Sequence, residues 1–128
     1  MGDTSWAGTP AALTIFTADL AASRAWYLSF LGAEPVHEDG ESVVFRAGDT
    51  LVNVLHDSAV EELIAPAAAG RGVRAVYTLG VEDVDAAAEE LRARGLVPLN
   101  GPMDRPWGVR TVSVQDPGGH VWELAKAG

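Results

Sequence analysis

Few residues in this chain have types and spacing suited to chemistry. The 128 residues include no cysteine, which excludes a disulfide scaffold, a thiolate zinc site and a cysteine nucleophile. The three histidines, His37, His56 and His120, have neither H-x-H nor H-x-x-x-H spacing, so no local metal motif is present. Glu123 lies in an apolar run. With a strand period of two, Val121, Glu123 and Ala125 face one way and Trp122 and Leu124 the other, so one face must carry a carboxylate. That carboxylate is suited to binding a ligand cation or acting as a general base, and equally to a solvated or hydrogen-bonded place on the strand. The segment from Asn100 to Gly108 combines turn breakers with Trp107. An indole there stacks on a planar ligand or closes the end of the core. Arg110 beside it offers a planar guanidinium for a carboxylate or phosphate, although pairing with a neighbouring acidic side chain is the commoner role.

The elements that must position these residues follow from an internal repeat. Asp19-Leu20-Ala21-Ala22 aligns with Asp83-Val84-Asp85-Ala86, and Leu31-Gly32-Ala33-Glu34-Pro35 aligns with Arg94-Gly95-Leu96-Val97-Pro98. In the first half, Leu13–Thr17 reads as a strand and Asp19 as the cap of a helix. Trp26, Tyr27, Phe30 and Leu31 form the apolar stripe of that helix, and Gly32 ends it. Three strands follow, over Glu34–His37, Ser42–Arg46 and Leu51–Leu55, separated by Asp39-Gly40 and Gly48-Asp49. The second half repeats the order. Ala75–Leu79 is the strand, and Val84, Ala87, Ala88 and Leu91 are the helix stripe. Val97–Asn100, Val109–Val114 and His120–Ala125 are the closing strands. Glu89–Arg92 and Glu90–Arg94 can pair on that helix. Ser58 and Glu61 have capping-box spacing at the start of a short connecting helix. The expected fold class is α+β, with one domain over 1–128: module one about 10–57, linker about 58–73 and module two about 74–126. Phe16, Phe45 and Tyr77 are strand aromatics whose side depends on a one-residue register.

Composition removes several partner classes. With 18 acidic against 9 basic residues and a net charge of -9, the chain would repel a phosphate backbone, so no nucleic-acid partner is expected. No segment approaches the roughly 20 apolar residues of a membrane span. The start Met1-Gly2-Asp3-Thr4-Ser5-Trp6 lacks a basic region followed by an apolar run, so no membrane partner and a cytoplasmic location are expected.

Two signatures carry a resemblance. The first is Asp19-Leu20-Ala21-Ala22-Ser23-Arg24-Ala25-Trp26-Tyr27 with Leu31-Gly32. The second is Trp107-Gly108-Val109-Arg110 with Asp116-Pro117-Gly118-Gly119-His120-Val121-Trp122-Glu123-Leu124. The chain resembles the vicinal-oxygen-chelate superfamily of glyoxalase I, bleomycin-resistance proteins and extradiol dioxygenases. The resemblance implies two βαβββ modules whose curled mixed sheets surround a concave cavity, with helices on the outer faces. It also implies a divalent metal held by the first and last strands of each module. At those positions this sequence places Ala12, Asn53, Val76 and Glu123, only one of which is a carboxylate. The expectation is therefore no metal and no cofactor.

The ligand-binding candidates are Trp107, Glu123, Arg110, Asn53, Phe45, Tyr77 and His56, with His56 and His120 near the mouth of the implied cavity. No catalytic residue is assigned. The expected function is metal-independent binding of a small aromatic or cationic compound. The alternative is a superfamily enzyme, a glyoxalase-like lyase or isomerase or a dioxygenase, with an altered metal site. The resemblance also implies a homodimer.

Overall fold

Asp19 and Asp83 occupy the same place in the two halves, and each accepts a backbone N–H three residues on, from Ala22 and Ala86. These caps start α1 (Leu20–Leu31) and α3 (Val84–Ala93). Gly32 ends α1 with φ 68°, a left-handed conformation that favours glycine, and a Cβ there would collide with the Arg94 guanidinium. Residues 6–126 are described by the structure, a computed structural model; Met1–Ser5, and with them most of the start read above, lie outside the described residues.

The strands of the first half are β1 (Ala12–Thr17), β2 (His37–Glu38), β3 (Ser42–Ala47) and β4 (Thr50–His56), in the spatial order β1-β4-β3-β2. Those of the second half are β5 (Val76–Val81), β6 (Asn100–Asp104), β7 (Arg110–Gln115) and β8 (Val121–Lys126), in the order β5-β8-β7-β6. The first strand of each half pairs in parallel with the last, and the remaining pairings are antiparallel. The chain is thus two βαβββ modules with mixed sheets, an α+β fold whose sheets are not closed into a barrel.

Local details differ from the sequence reading where backbone constraints act. Strand β6 begins at Asn100, not Val97, because Leu96 turns back to donate its N–H to Leu91 and the ladder starts only with Leu99 N–H on Ser113. Its pairing with β7 shifts between Asn100 and Met103. The bulge contains Gly101 at φ 85°, where a Cβ would strike the Thr111 carbonyl. The connecting helix α2 (Asp57–Ile64) is capped by His56, whose Nδ1 accepts from Ser58 N–H, rather than by Ser58. Arg94 pairs with Glu90 at 3.3 Å. Arg94 also reaches across the modules to the Ser29 and Phe30 carbonyls at 3.1 and 3.4 Å.

One core serves both modules. Strand alternation puts Ile15, Val43, Phe45, Val52 and Val54 of the first sheet, and Val112, Val114, Trp122 and Leu124 of the second, against Tyr27 and Phe30 of α1 and Val84, Ala88 and Leu91 of α3. Trp122 of module two lies 5.6 Å from Phe30 and 6.3 Å from Tyr27 of module one, ring centre to ring centre. A buried polar chain runs through this contact. Trp122 Nε1–H donates to the Tyr27 hydroxyl at 2.9 Å, and that hydroxyl donates to Asp116. Asp116 also accepts the His120 backbone N–H at 2.7 Å and lies 3.0 Å from His120 Nδ1.

Burial and the adjacent Asp116 carboxylate push the Tyr27 hydroxyl far above its ordinary value of 10.0. Because the folded chain keeps this proton while the unfolded chain releases it, Tyr27 contributes stability that is full below pH 10 and is lost as pH rises beyond it. Tyr27→Phe leaves the Asp116 oxygen and the Trp122 N–H short of a buried partner. Urea unfolding should show a loss of about 1–3 kcal/mol at neutral pH and a shallower decline above pH 10 than in the wild type.

Candidate functional site

The sheet face turned away from the shared core is the candidate surface. On β1 it carries Ala12, Thr14 and Phe16, and on β4 Leu51, Asn53 and Leu55. On β5 it carries Val76, Thr78 and Gly80, and on β8 Val121, Glu123 and Ala125, each alternating with a core-facing neighbour. Parallel pairing fixes which of these meet. Thr14 stands beside Asn53 in module one, and Thr78 beside Glu123 in module two.

The two meetings correspond. Asn53 Nδ2 lies 3.5 Å from Thr14 Oγ1, and Thr78 Oγ1 donates to Glu123 Oε1 at 3.0 Å. The threonines lie 64 positions apart, the offset of the Asp19 and Asp83 caps, so each module presents one polar rung at the same height. Thr14 and Thr78 were not among the sequence candidates. Their signal is the parallel register, which links each to a candidate on the neighbouring strand and which sequence spacing does not reveal. Asn53 Oδ1 is buried without a hydrogen-bond partner, a state that costs about 1–3 kcal/mol.

The other candidates are dispersed. Phe45 is fully buried on the helix side, 5.9 Å from Tyr27, and belongs to the core. Tyr77 also turns to that side and packs 5.1 Å from Trp122, while its edge borders a cleft between the modules. Both placements follow from the registers of β3 and β5. Arg110 forms a two-pronged pair with Asp85 of α3, at 3.0 and 2.9 Å, and reaches Asp104 at 3.1 Å. Asp85 and Asp104 hold its guanidinium above its ordinary range, and Arg110 in turn lowers Asp85. Arg110 therefore clamps α3 to β7 instead of facing the open surface. His56 caps α2. His37 lies 3.6 Å from Asp39 on the surface.

Trp107 occupies the tip of the β6–β7 hairpin and is 69% exposed, with the Arg105 guanidinium 5.9 Å from its ring centre. Arg105 is itself anchored by Thr111 at 2.9 Å and Asn100 at 2.9 Å, which holds one face of the indole and leaves the rest free.

The donor set does not suit a divalent metal. Ala12 and Val76 have no lone pair to give, Asn53 is neutral, and Glu123 is a single carboxylate already accepting from Thr78. Among the described residues no group of three or more His, Cys, Asp or Glu side chains converges. No helix among them is long and apolar enough to cross a membrane.

Residues 9–124 match the profile of the Glyoxalase/Bleomycin resistance protein/Dioxygenase superfamily. The chain belongs to this superfamily. Solved structures similar to it include a glyoxalase-related enzyme from Fulvimarina pelagi, 24% identical with a TM-score of 0.77, covering 93% of this chain and 88% of that one. Another is a glyoxalase/bleomycin resistance protein/dioxygenase from Nocardioides, 26% identical with a TM-score of 0.77 over 94% and 83% of the two chains. A lactoylglutathione lyase from Agrobacterium tumefaciens, 20% identical with a TM-score of 0.74 over 94% and 95%, shares the fold. A search of the curated proteins finds no match. This superfamily member therefore keeps the two-module frame while carrying no lone pair at Ala12 and Val76 on the first strands.

Asn53 leaves its Oδ1 unpaired while its Nδ2 reaches Thr14 only at 3.5 Å. Replacing it by Leu removes the unpaired acceptor, so thermal unfolding should show stability unchanged or raised by up to about 1–2 kcal/mol. A large loss would mean that Asn53 supports the fold.

Proposed function

We propose that this superfamily member binds a small aromatic or cationic molecule without a metal, working as a homodimer in the cytoplasm. The observation that carries the proposal is the donor chemistry of the open face. Two threonine rungs stand where each sheet meets Asn53 or Glu123, and the neighbouring first-strand positions are Ala12 and Val76. Such a face suits hydrogen bonding and burial of a ligand better than Lewis-acid chemistry. Glu123 supplies the negative charge, and its Oε2 has no described partner. Asn53 brings a neutral amide to the same face beside Thr14.

Trp107 supplies the aromatic surface, already steadied by Arg105. The homodimer is supported by apolar side chains left open in a single chain, Val76 on the open face and Val36, Val97 and Leu99 beside the outer strands, each about half exposed or more. A second copy that brought its Trp107 hairpin towards this face would unite residues that lie apart in one chain.

Native mass spectrometry of chelator-treated protein against a set of planar aromatic amines tests the proposal. Binding should persist without metal and appear on a species of two chains. Trp107→Ala should weaken it by about 1–2 kcal/mol, a five- to thirtyfold change, with unfolding unaltered. Glu123→Gln should matter most for cationic members of the set. Binding that vanishes on chelation and returns with a divalent ion would instead support an enzyme with an altered metal site.

A further inference from the structure

The edge strands β1 and β5 do not join, and a cleft of about 720 Å³ opens beside them. Its walls are the end of β1 with the first residues of the α1 cap, the segment 69–75, and the turn 117–120. Neither Asn53 nor Glu123 lines it, although Thr14 of the first rung does, so the cleft adjoins the open face.

Its lining includes two arginines. The chain has twice as many acidic as basic residues, 18 against 9. Three guanidinium groups elsewhere are taken up by carboxylates, Arg24 by Glu38, Arg94 by Glu90, and Arg110 by Asp85 and Asp104, and Arg105 is held by Thr111 and Asn100. Arg71 and Arg74, both lining the cleft, take part in no ion pair among the described residues. Two carboxylates also line it, Asp57 and Asp19, the latter accepting the Ala22 N–H as the cap of α1.

The opposite wall is rigid. His120 is fixed through Nδ1 by the buried Asp116, and Asp116 is held by the Tyr27 hydroxyl and the His120 backbone N–H. Gly118 presses against β1 so closely that a Cβ would stand 2.8 Å from the Phe16 carbonyl and 3.0 Å from the His120 ring. The imidazole therefore has one orientation, with its Nδ1 edge turned to Asp116 and the ring forming part of the cleft wall.

We propose that this inter-module cleft is a second binding site, for a small anion carrying a carboxylate or phosphate group, which Arg71 and Arg74 grip against the His120 wall. Planar guanidinium groups match either anion with paired hydrogen bonds. Two arginines that lack protein ion pairs have that capacity to spare.

The test titrates inorganic phosphate and, separately, succinate into the full chain by calorimetry at low ionic strength. The variants are Arg71→Gln/Arg74→Gln and Arg46→Gln/Arg92→Gln, the latter removing the same charge elsewhere. Saturable binding of one anion per chain is expected for at least one probe. It should weaken at least tenfold in the first variant and stay within twofold in the second, and which probe binds distinguishes a phosphate from a carboxylate ligand. No saturable binding of either probe would overturn the proposal. So would an equal loss in both variants, which would mark a general effect of charge.

Discussion

The hydroxyl of Tyr27 is the point on which the two modules depend. It accepts a hydrogen bond from Trp122 on the last strand of one module and donates one to Asp116 in the turn before that strand, while its ring belongs to the helix of the other module. An apolar contact alone would let α1 slide over the second sheet, because dispersion has little direction. A buried hydroxyl with two partners allows one placement, since any shift leaves polar groups unpaired at a cost of about 1–3 kcal/mol. The placement of α1 sets how β1 approaches β5. The cleft and the open face inherit their shapes from that hydrogen-bonded pair of contacts.

The same placement explains why only part of the molecule is legible in the sequence. Caps are local: Asp19, Asp83 and Gly32 act within a few residues of themselves, and a repeat of such signals exposes the βαβββ order. Side-chain direction on a strand is not local. Phe45 and Tyr77 face the core because of their registers with Val52 on the next strand and Trp122 on the last, and a one-residue change would have turned them to the open face. The late start of β6 reflects the Leu96 N–H turning back to the Leu91 carbonyl, which Val97-Pro98-Leu99 does not announce. Arg110 has the chemistry of an anion ligand, and Asp85, 25 positions earlier on α3, reaches it first.

The candidate site shows how a shared frame separates from shared chemistry. The superfamily match and the similar folds from Fulvimarina pelagi and Nocardioides establish the frame. The chemistry rests on what projects from it. Here the corresponding heights of the two modules carry hydroxyl–amide and hydroxyl–carboxylate rungs, and the first-strand positions next to them carry methyl groups. An unpaired Asn53 acceptor is an expense for the fold, and a binding surface is where such an expense is ordinarily retained.

The central claim is that this frame lacks donors rather than geometry. It is tested most directly by calorimetric titration of zinc, nickel and manganese into chelator-treated wild type and into the variant Ala12→His/Asn53→Glu/Val76→His. The account predicts no stoichiometric binding by the wild type and acquisition of a divalent ion by the variant, whose side chains join Glu123 in a four-donor set. One tightly bound ion per wild-type chain, lost on Glu123→Gln, would contradict it.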